Sequence, residues 1–79
     1  MVGEFARSKA GHDKGRLYII IEEDEQFAYL SDGDLRKLDC LKKKKLKHIQ
    51  SIHHKKPEAY GTNEEIKRSI KLYKAEIGE

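Results

Sequence analysis

Residues 6–30 read ARSKAGHDKGRLYIIIEEDEQFAYL, which combines a short strand, a basic loop with two glycines and an apolar hairpin. Gly11 and Gly15 can adopt positive φ, so the backbone can turn at two fixed points. Residues 18–21, which follow the loop, are β-branched and aromatic, the composition of a buried strand. The polar turn at residues 23–25 is short enough to close a hairpin. This stretch therefore predicts a β-rich fold with a basic loop between its first two strands.

The pattern of apolar residues and turns predicts about five strands in the first part of the chain. In chain order they are residues 3–7, 17–23 and 26–31, a fourth strand that begins at Leu35 and Leu38 after the tight turn at residues 32–33, and a fifth that holds Ile49 and Ile52. The side chains expected to be buried are Phe5, Ile19, Ile21 and Leu30. A chain this small buries only about 60% of its unfolded surface, so the core should be thin.

A helix should follow the strands, after a linker marked by Pro57 and Gly61. Thr62 and Glu65 have the spacing of a capping box, with Thr62 as the N-cap. An apolar stripe at helical spacing comes next: Ile66, Ile70, Tyr73 and Ile77. We therefore divide the chain into a β-domain at residues 1–56 and a linker with a C-terminal helix at residues 57–79. The helix is expected to pack on the β-domain.

Positive charge is concentrated in the middle of the chain. The formal net charge is +3, but in residues 32–57 nine Lys or Arg stand against three Asp, which gives that segment a charge of +6. Its centre is the run of four lysines at residues 42–45, followed by Lys47. Like charges this dense repel each other unless an anion lies nearby. The run therefore favours contact with phosphates.

Composition and motifs also exclude several classes of protein. No apolar run approaches the ~20 residues that span a bilayer, and the first residues lack the apolar region of a signal peptide, so no membrane partner is expected. A single cysteine, Cys40, cannot form an internal disulfide, which indicates a reduced, cytoplasmic compartment. The sequence has no phosphate-binding glycine motif and no shielded acid–base pair, so we expect neither enzymatic activity nor a cofactor.

The segment AGHDKGR at residues 10–16, followed by isoleucines, resembles the KOW motif, a strand–loop–strand unit of ribosomal proteins and transcription elongation factors. The chain is most similar to the large-subunit ribosomal branch of that family. In that branch an acidic turn, a strand ending in Asp-Gly, a basic segment and a last short strand follow the loop. The corresponding residues here are 22–25, 27–33, 36–47 and 46–52. The resemblance covers residues 2–54 and departs from many KOW motifs at Tyr18, where they carry a third glycine.

This resemblance implies a small SH3-like β-barrel of about five strands, followed by one C-terminal α-helix, and it implies RNA binding. The partner would be ribosomal RNA, with ribosomal proteins as further candidates, for a protein that is cytoplasmic, ribosome-associated and monomeric when free. One expected contact is the basic loop: Arg7, Lys9, Gly11, Lys14, Gly15 and Arg16. The other is the basic segment: Arg36, Lys37, Lys42, Lys43, Lys44, Lys45 and Lys47. Together they would clamp RNA backbone, and because exposed charges contribute little to stability, replacing the lysines should leave the fold intact.

Other interpretations remain open from the sequence. KOW domains also dock onto proteins, and the helix stripe would then be a partner surface instead of packing on the sheet. A zinc site would have to be built from Cys40, His48, His53 and His54. Since Cys40 has no second cysteine at ligand spacing, no metal is predicted, and the histidines should extend the basic surface. Tyr18 and Tyr29 should lie in the core or at its edge, with base stacking as the alternative.

Overall fold

Five antiparallel strands and one C-terminal helix make up the computed structural model, which describes residues 1–79. The strands are β1 (Phe5–Ser8), β2 (Leu17–Glu23), β3 (Phe27–Ser31), β4 (Lys42–Lys45) and β5 (Ile49–Ile52), and the helix α1 is Asn63–Glu76. The sheet order is β4-β3-β2-β1-β5, so β4 and β5 are its edges and do not pair with each other. A 3₁₀ turn at Leu46–His48 connects them. The predicted mainly β fold with a C-terminal helix is confirmed, and its sheet is not closed.

Both faces of the sheet are covered, which explains why residues 17–20 are buried without a break. Side chains alternate between the two faces of a strand, so a continuous apolar run is favourable where both faces are dry. The core on the first face includes the helix and consists of Phe5, Leu17, Ile19, Ile66, Ile70 and Tyr73. The core on the second face consists of Ala6, Tyr18, Ile20, Ala28, Leu30 and Ile49.

Three of the four predicted core residues, Phe5, Ile19 and Leu30, are buried as expected. Ile21 is only partly buried and packs against the first core from its margin. The pairing of β2 with β3 shifts register between Ile20 and Glu22, so Ile21 has no paired residue on β3. An unpaired residue at such a bulge does not follow the regular alternation of side chains between the two faces of the sheet. The bulge therefore accounts for the intermediate position of Ile21.

The helix begins and packs as predicted, but it ends earlier. The Thr62 hydroxyl accepts the backbone N–H of Glu65 at 3.1 Å, which confirms the N-cap. The Glu65 carboxylate reaches back to the N–H of Gly61, at 3.0 Å, rather than to that of Thr62. The buried helix residues are Ile66, Ser69, Ile70 and Tyr73. Ile77 was expected to extend this stripe but lies beyond Glu76, the last helical residue, and is 40% exposed. This helix is not long and apolar enough to cross a membrane.

The predicted start of the fourth strand at Leu35 and Leu38 is wrong, because residues 32–41 form a loop (the 32–41 loop) and the strand is the lysine run itself. The Asp32 carboxylate accepts the backbone N–H groups of Asp34 and Arg36, at 2.9 and 2.8 Å. Such local side-chain hydrogen bonds compete with the pairing of strands. Leu35 is consequently 68% exposed.

The 32–41 loop is attached to the first turn of α1. The backbone N–H of Leu38 donates to Asn63 Oδ1 at 2.8 Å. Gly33, at φ +74°, lies so close to the helix that an added Cβ would be 2.3 Å from the Asn63 carbonyl oxygen and 2.8 Å from the Lys67 nitrogen. Glycine is needed there both for its positive φ and for its lack of a side chain. The loop therefore has a fixed position relative to the helix.

Candidate nucleic-acid interface

The loop between β1 and β2, residues 9–16 (the glycine loop), is closed by backbone hydrogen bonds at its base. The N–H of Ser8 donates to the carbonyl of Arg16 at 3.0 Å, and the N–H of Gly15 donates to the carbonyl of Ser8 at 2.8 Å. Gly11 and Gly15 have φ of +84° and +90°, the region that favours glycine. The two turns expected from the sequence are therefore present, and they fold the loop back on itself.

A carboxylate of the glycine loop, that of Asp13, joins it to β2 and β4. The Tyr18 hydroxyl donates to Asp13 Oδ2 at 2.8 Å, the Lys44 ammonium donates to Oδ1 at 2.6 Å, and the Ser8 hydroxyl lies 2.9 Å from Oδ1. Lys44 also donates to the carbonyl of Ala10 at 2.8 Å. Only 11% of the Lys44 side chain and 14% of the Asp13 side chain are exposed. This mostly buried network fixes the shape of the loop.

The ionisation of the network follows from its geometry. Burial by itself raises the pKa of Asp13, but the hydrogen bonds from Lys44, Tyr18 and Ser8 lower it by more, so the pKa lies well below the ordinary value of about 3.9. Burial and the hydrogen bond to Asp13 both raise the pKa of the Tyr18 hydroxyl. At neutral pH the network thus holds an ionised carboxylate and a neutral phenol. Tyr18 is almost fully buried in it, which opposes a role in base stacking.

The lysine run divides between the two faces of the sheet. Lys42 and Lys44 pair with Leu30 and Ala28, whereas Lys43 and Lys45 pair with Tyr29 and Phe27. Because facing residues share a side of the sheet, only Lys42 and Lys44 point toward the side of the glycine loop. The Lys43 ammonium instead lies 4.2 Å from the centroid of the Phe27 ring. Lys43 and Lys45 are exposed, whereas Lys42 is partly buried and Lys44 is mostly buried. The expectation that the whole run is exposed is therefore wrong for Lys42 and Lys44.

The cations predicted around the glycine loop differ in their partners. Arg7 donates to the carbonyl of Gly15 at 2.7 Å and forms an ion pair with Glu79 at 2.8 Å. Arg16 lies 3.4 Å from the Asp32 carboxylate. Lys9 and Lys14 are exposed and their side chains make no hydrogen bond or ion pair. Two free and two engaged cations thus surround the loop.

A groove of about 380 Å³ brings part of the two predicted patches together. We call it the loop groove, and its lining residues are Gly11, His12, Asp13, Arg16, Tyr18, Leu35, Arg36, Lys42 and Lys44. Four predicted site residues besides Lys44 therefore meet there: Gly11, Arg16, Arg36 and Lys42. The predicted residues that lie outside it are Arg7, Lys9, Lys14, Gly15, Lys37, Lys43, Lys45 and Lys47.

A second groove, of about 790 Å³, runs between the glycine loop and α1. Cations from both sides line this helix groove: Lys14, Arg16, Lys67, Lys71 and Lys74. Its lining also includes four carboxylates: Asp13, Asp32, Asp34 and Glu79. The three helix lysines were not predicted as site residues, although their i, i+4, i+7 spacing places them on one helix face. His12 and Leu35 were not predicted either, and the sequence carries no comparable signal for them.

The histidines and the cysteine do not converge on a metal site. No group of three or more His, Cys, Asp or Glu side chains has metal-binding geometry, and Cys40 is exposed. His53 instead lies 2.9 Å from the Glu4 carboxylate, and this hydrogen bond lowers the pKa of Glu4. His54 lies 3.3 Å from the Tyr73 hydroxyl. These contacts link the segment after β5 to Glu4, the residue before β1, and to the helix.

A scan of the chain against protein-family models finds no match, and a search of the curated proteins finds none either. The loop groove is the candidate interface of this structure. One of its walls comes from the glycine loop and the other from the 32–41 loop and β4.

Proposed function

We propose that this protein is a non-enzymatic RNA-binding protein of the KOW type, with an SH3-like barrel topology, that contacts the backbone of ribosomal RNA in the cytoplasm. The observation that carries the proposal is the loop groove, where the glycine loop meets Arg16, Arg36 and Lys42. These side chains come from three separate segments of the chain. Their convergence supports one phosphate-binding surface in place of the two separate patches expected from the sequence.

Free backbone donors strengthen the case for phosphate. The N–H groups of residues 10–13 donate no hydrogen bond within the protein, and three of these residues, Gly11, His12 and Asp13, line the loop groove. Consecutive free N–H groups at a turn form a concavity that binds anions. Arginine adds a planar fork that matches phosphate oxygens, so the groove combines backbone donors with charged ones.

The electrostatics favour nucleic-acid backbone over a small anion. The lining of the loop groove has an excess of positive charge, with four cations and one carboxylate: Arg16, Arg36, Lys42, Lys44 and Asp13. A cationic surface of this kind gains free energy by releasing the counterions that surround a polyphosphate. Phosphate contacts position a protein without reading bases. We therefore infer that binding depends on the shape of the RNA backbone more than on base sequence.

Affinity for purified ribosomal RNA, measured over a series of salt concentrations, tests the proposal. R36A/K42A removes two loop-groove cations and should lower the log–log salt slope by about 1.4 to 1.8 if each contacts one phosphate. K43A/K45A is the matched control, because it removes two cations of the same strand that point to the other face of the sheet. An unchanged slope in R36A/K42A would overturn the proposal. Co-sedimentation with ribosomal subunits over the same salt series tests the ribosomal assignment separately.

The alternative of a protein-docking module is not favoured by any observation. That interpretation uses the helix stripe as the partner surface, but Ile66, Ile70 and Tyr73 are buried against the sheet, and the Tyr73 ring stacks on Phe5 with centroids 4.8 Å apart. A partner would have to displace the helix from the protein's own core. The stripe is thus already occupied.

A further inference from the structure

The helix groove is lined by five cations and four carboxylates, and three of the carboxylates, Asp13, Asp32 and Glu79, are already paired with Lys44, Arg16 and Arg7. Asp34 is the only lining carboxylate without an ion pair, so cations without a partner outnumber it. Lys67, Lys71 and Lys74 form one row on α1, and Lys14 lies across the groove on the glycine loop. None of these four side chains makes an ion pair or a hydrogen bond within the protein, whereas Arg16 is paired with Asp32. Like charges three and four residues apart on a helix repel each other. An anion in the groove would remove this repulsion.

The helix groove is continuous with the loop groove. The two share four lining residues: His12, Asp13, Arg16 and Leu35. A chain of phosphates that lies in the loop groove can therefore pass Arg16 and enter the helix groove without leaving the protein surface. Leu35, which is 68% exposed, stands at this junction. An apolar side chain between cations is suited to contact a ribose or a base face while phosphates contact the lysines.

The helix lysines also have a fixed position relative to the rest of the surface. Gly33 and Leu38 of the 32–41 loop contact the first turn of α1, and the same loop contributes Leu35 and Arg36 to the loop groove. Binding then requires little ordering of the protein, which reduces the entropic cost of association.

We propose that the helix groove is a second phosphate-binding surface, in which Lys67, Lys71 and Lys74 hold the backbone of the same RNA strand where it continues beyond the loop groove. This inference rests on the proposed function and deepens it, because it extends the RNA footprint from the sheet and its loops onto the C-terminal helix. An acidic protein surface would be the competing ligand. The continuity with the loop groove favours a polyphosphate, since one ligand then fills both.

The test compares full-length variants on RNA oligonucleotides of two lengths, about 4 and about 16 nucleotides, which span the footprints known for small single-strand-binding folds. K67A/K71A/K74A should bind the short RNA as the wild type does and should bind the long RNA roughly 10- to 100-fold more weakly at 0.1 M salt, with a salt slope lower by about 2. K67R/K71R/K74R retains the charge and should restore affinity. K43A/K45A/K47A removes the same charge away from both grooves and is the matched control.

Each outcome distinguishes the inference from the function on which it rests. If R36A/K42A weakens binding and K67A/K71A/K74A does not, the helix groove is not an RNA contact and the proposed function stands. If neither variant weakens binding, the proposed function itself fails. Equal losses for short and long RNA in K67A/K71A/K74A would also overturn the inference. Poly-glutamate serves as the probe for an acidic protein surface. If the triple variant keeps its affinity for RNA but loses binding to poly-glutamate, the helix groove binds acidic protein and the inference fails. Thermal unfolding of each variant verifies the fold, which the exposed helix lysines should hardly affect.

Discussion

The ammonium group of Lys44 lies 2.6 Å from the Asp13 carboxylate, and both side chains are nearly buried although they come from an edge strand and a surface loop. The same ammonium donates to the carbonyl of Ala10. Lys44, one of the four lysines of the run, thereby holds the glycine loop in place, and this loop contacts RNA in the proposed function. The two patches expected from the sequence are one structural unit, with Lys44 as the link between them.

Lys44 should consequently differ from its neighbours in its effect on stability. Lys44→Ala leaves the Asp13 carboxylate with its hydrogen bonds from Ser8 and Tyr18 but without a countercharge, and we expect a loss of about 2 to 4 kcal/mol in the free energy of unfolding. Lys43→Ala, on the other face, should change it by less than about 1 kcal/mol. Urea denaturation of the two variants measures the difference. Equal effects would mean that the buried pair does not stabilise the fold.

The Asp13 carboxyl should also make stability depend on acid pH. Its pKa is well below the ordinary value in the folded protein, so below about pH 4 the unfolded chain takes up a proton that the folded protein does not. The stability that this carboxylate contributes is therefore complete above about pH 5 and is lost as the pH falls toward the folded-state pKa. Asp13→Asn should lower the free energy of unfolding at pH 7. It should also make the fall in this free energy between pH 5 and pH 3 smaller than in the wild type. Denaturation at each pH measures both effects. Parallel curves for the two proteins would contradict this.

Much of the fold could be predicted from local patterns. Glycines at fixed spacing, an uninterrupted apolar run and a capping box each report a short-range property of the chain, and the loop, β2 and the start of α1 follow from them. The fourth strand could not be predicted in this way. Four lysines have little β-propensity, and they form a strand because β3 offers an edge to pair with. The apolar Leu35 and Leu38 instead lie in a loop that the Asp32 side chain and Asn63 hold in place.

The charge pattern of the sequence predicted many of the residues of the candidate site, but it predicted their arrangement only in part. Net charge identifies the residues that can contact phosphate, but it does not say which of them face each other. The alternation of β4 directs Lys43 and Lys45 away from the loop groove, and the contact of Lys44 with Asp13 joins residues far apart in sequence. The helix lysines were missed for a different reason. Residues 58–79 are acidic overall, with five Glu and four Lys or Arg, and that average conceals a cationic row on one face.

Gly33 should be the most sensitive glycine in the chain. Gly33→Ala would place a Cβ at a positive φ and only 2.3 Å from the backbone of the helix. We therefore expect the free energy of unfolding to fall by about 3 kcal/mol or more, with displacement of α1 from the 32–41 loop. Gly15→Ala is the control, because φ is +90° there but no residue other than its chain neighbours lies within 4 Å of the added atom. It should cost only the backbone strain, about 1 to 2 kcal/mol. Chemical denaturation compares the two, and a larger loss for Gly15→Ala would show that the contact with the helix is unimportant.

Cations that share the loop groove should act together on RNA. Arg16 and Lys42 line the same groove, so if both contact the same phosphates, removing one diminishes what the other contributes. The double variant R16A/K42A should then lose less binding free energy than the sum of the single variants, with a coupling of at least about 0.5 kcal/mol. The matched cycle of Arg16 with Lys45, which points to the other face of the sheet, should be additive within that margin. Dissociation constants for ribosomal RNA at one fixed salt concentration give both cycles. Additivity in both would mean that the glycine loop and β4 bind RNA independently, and the single-groove proposal would then have to be abandoned in favour of two separate patches.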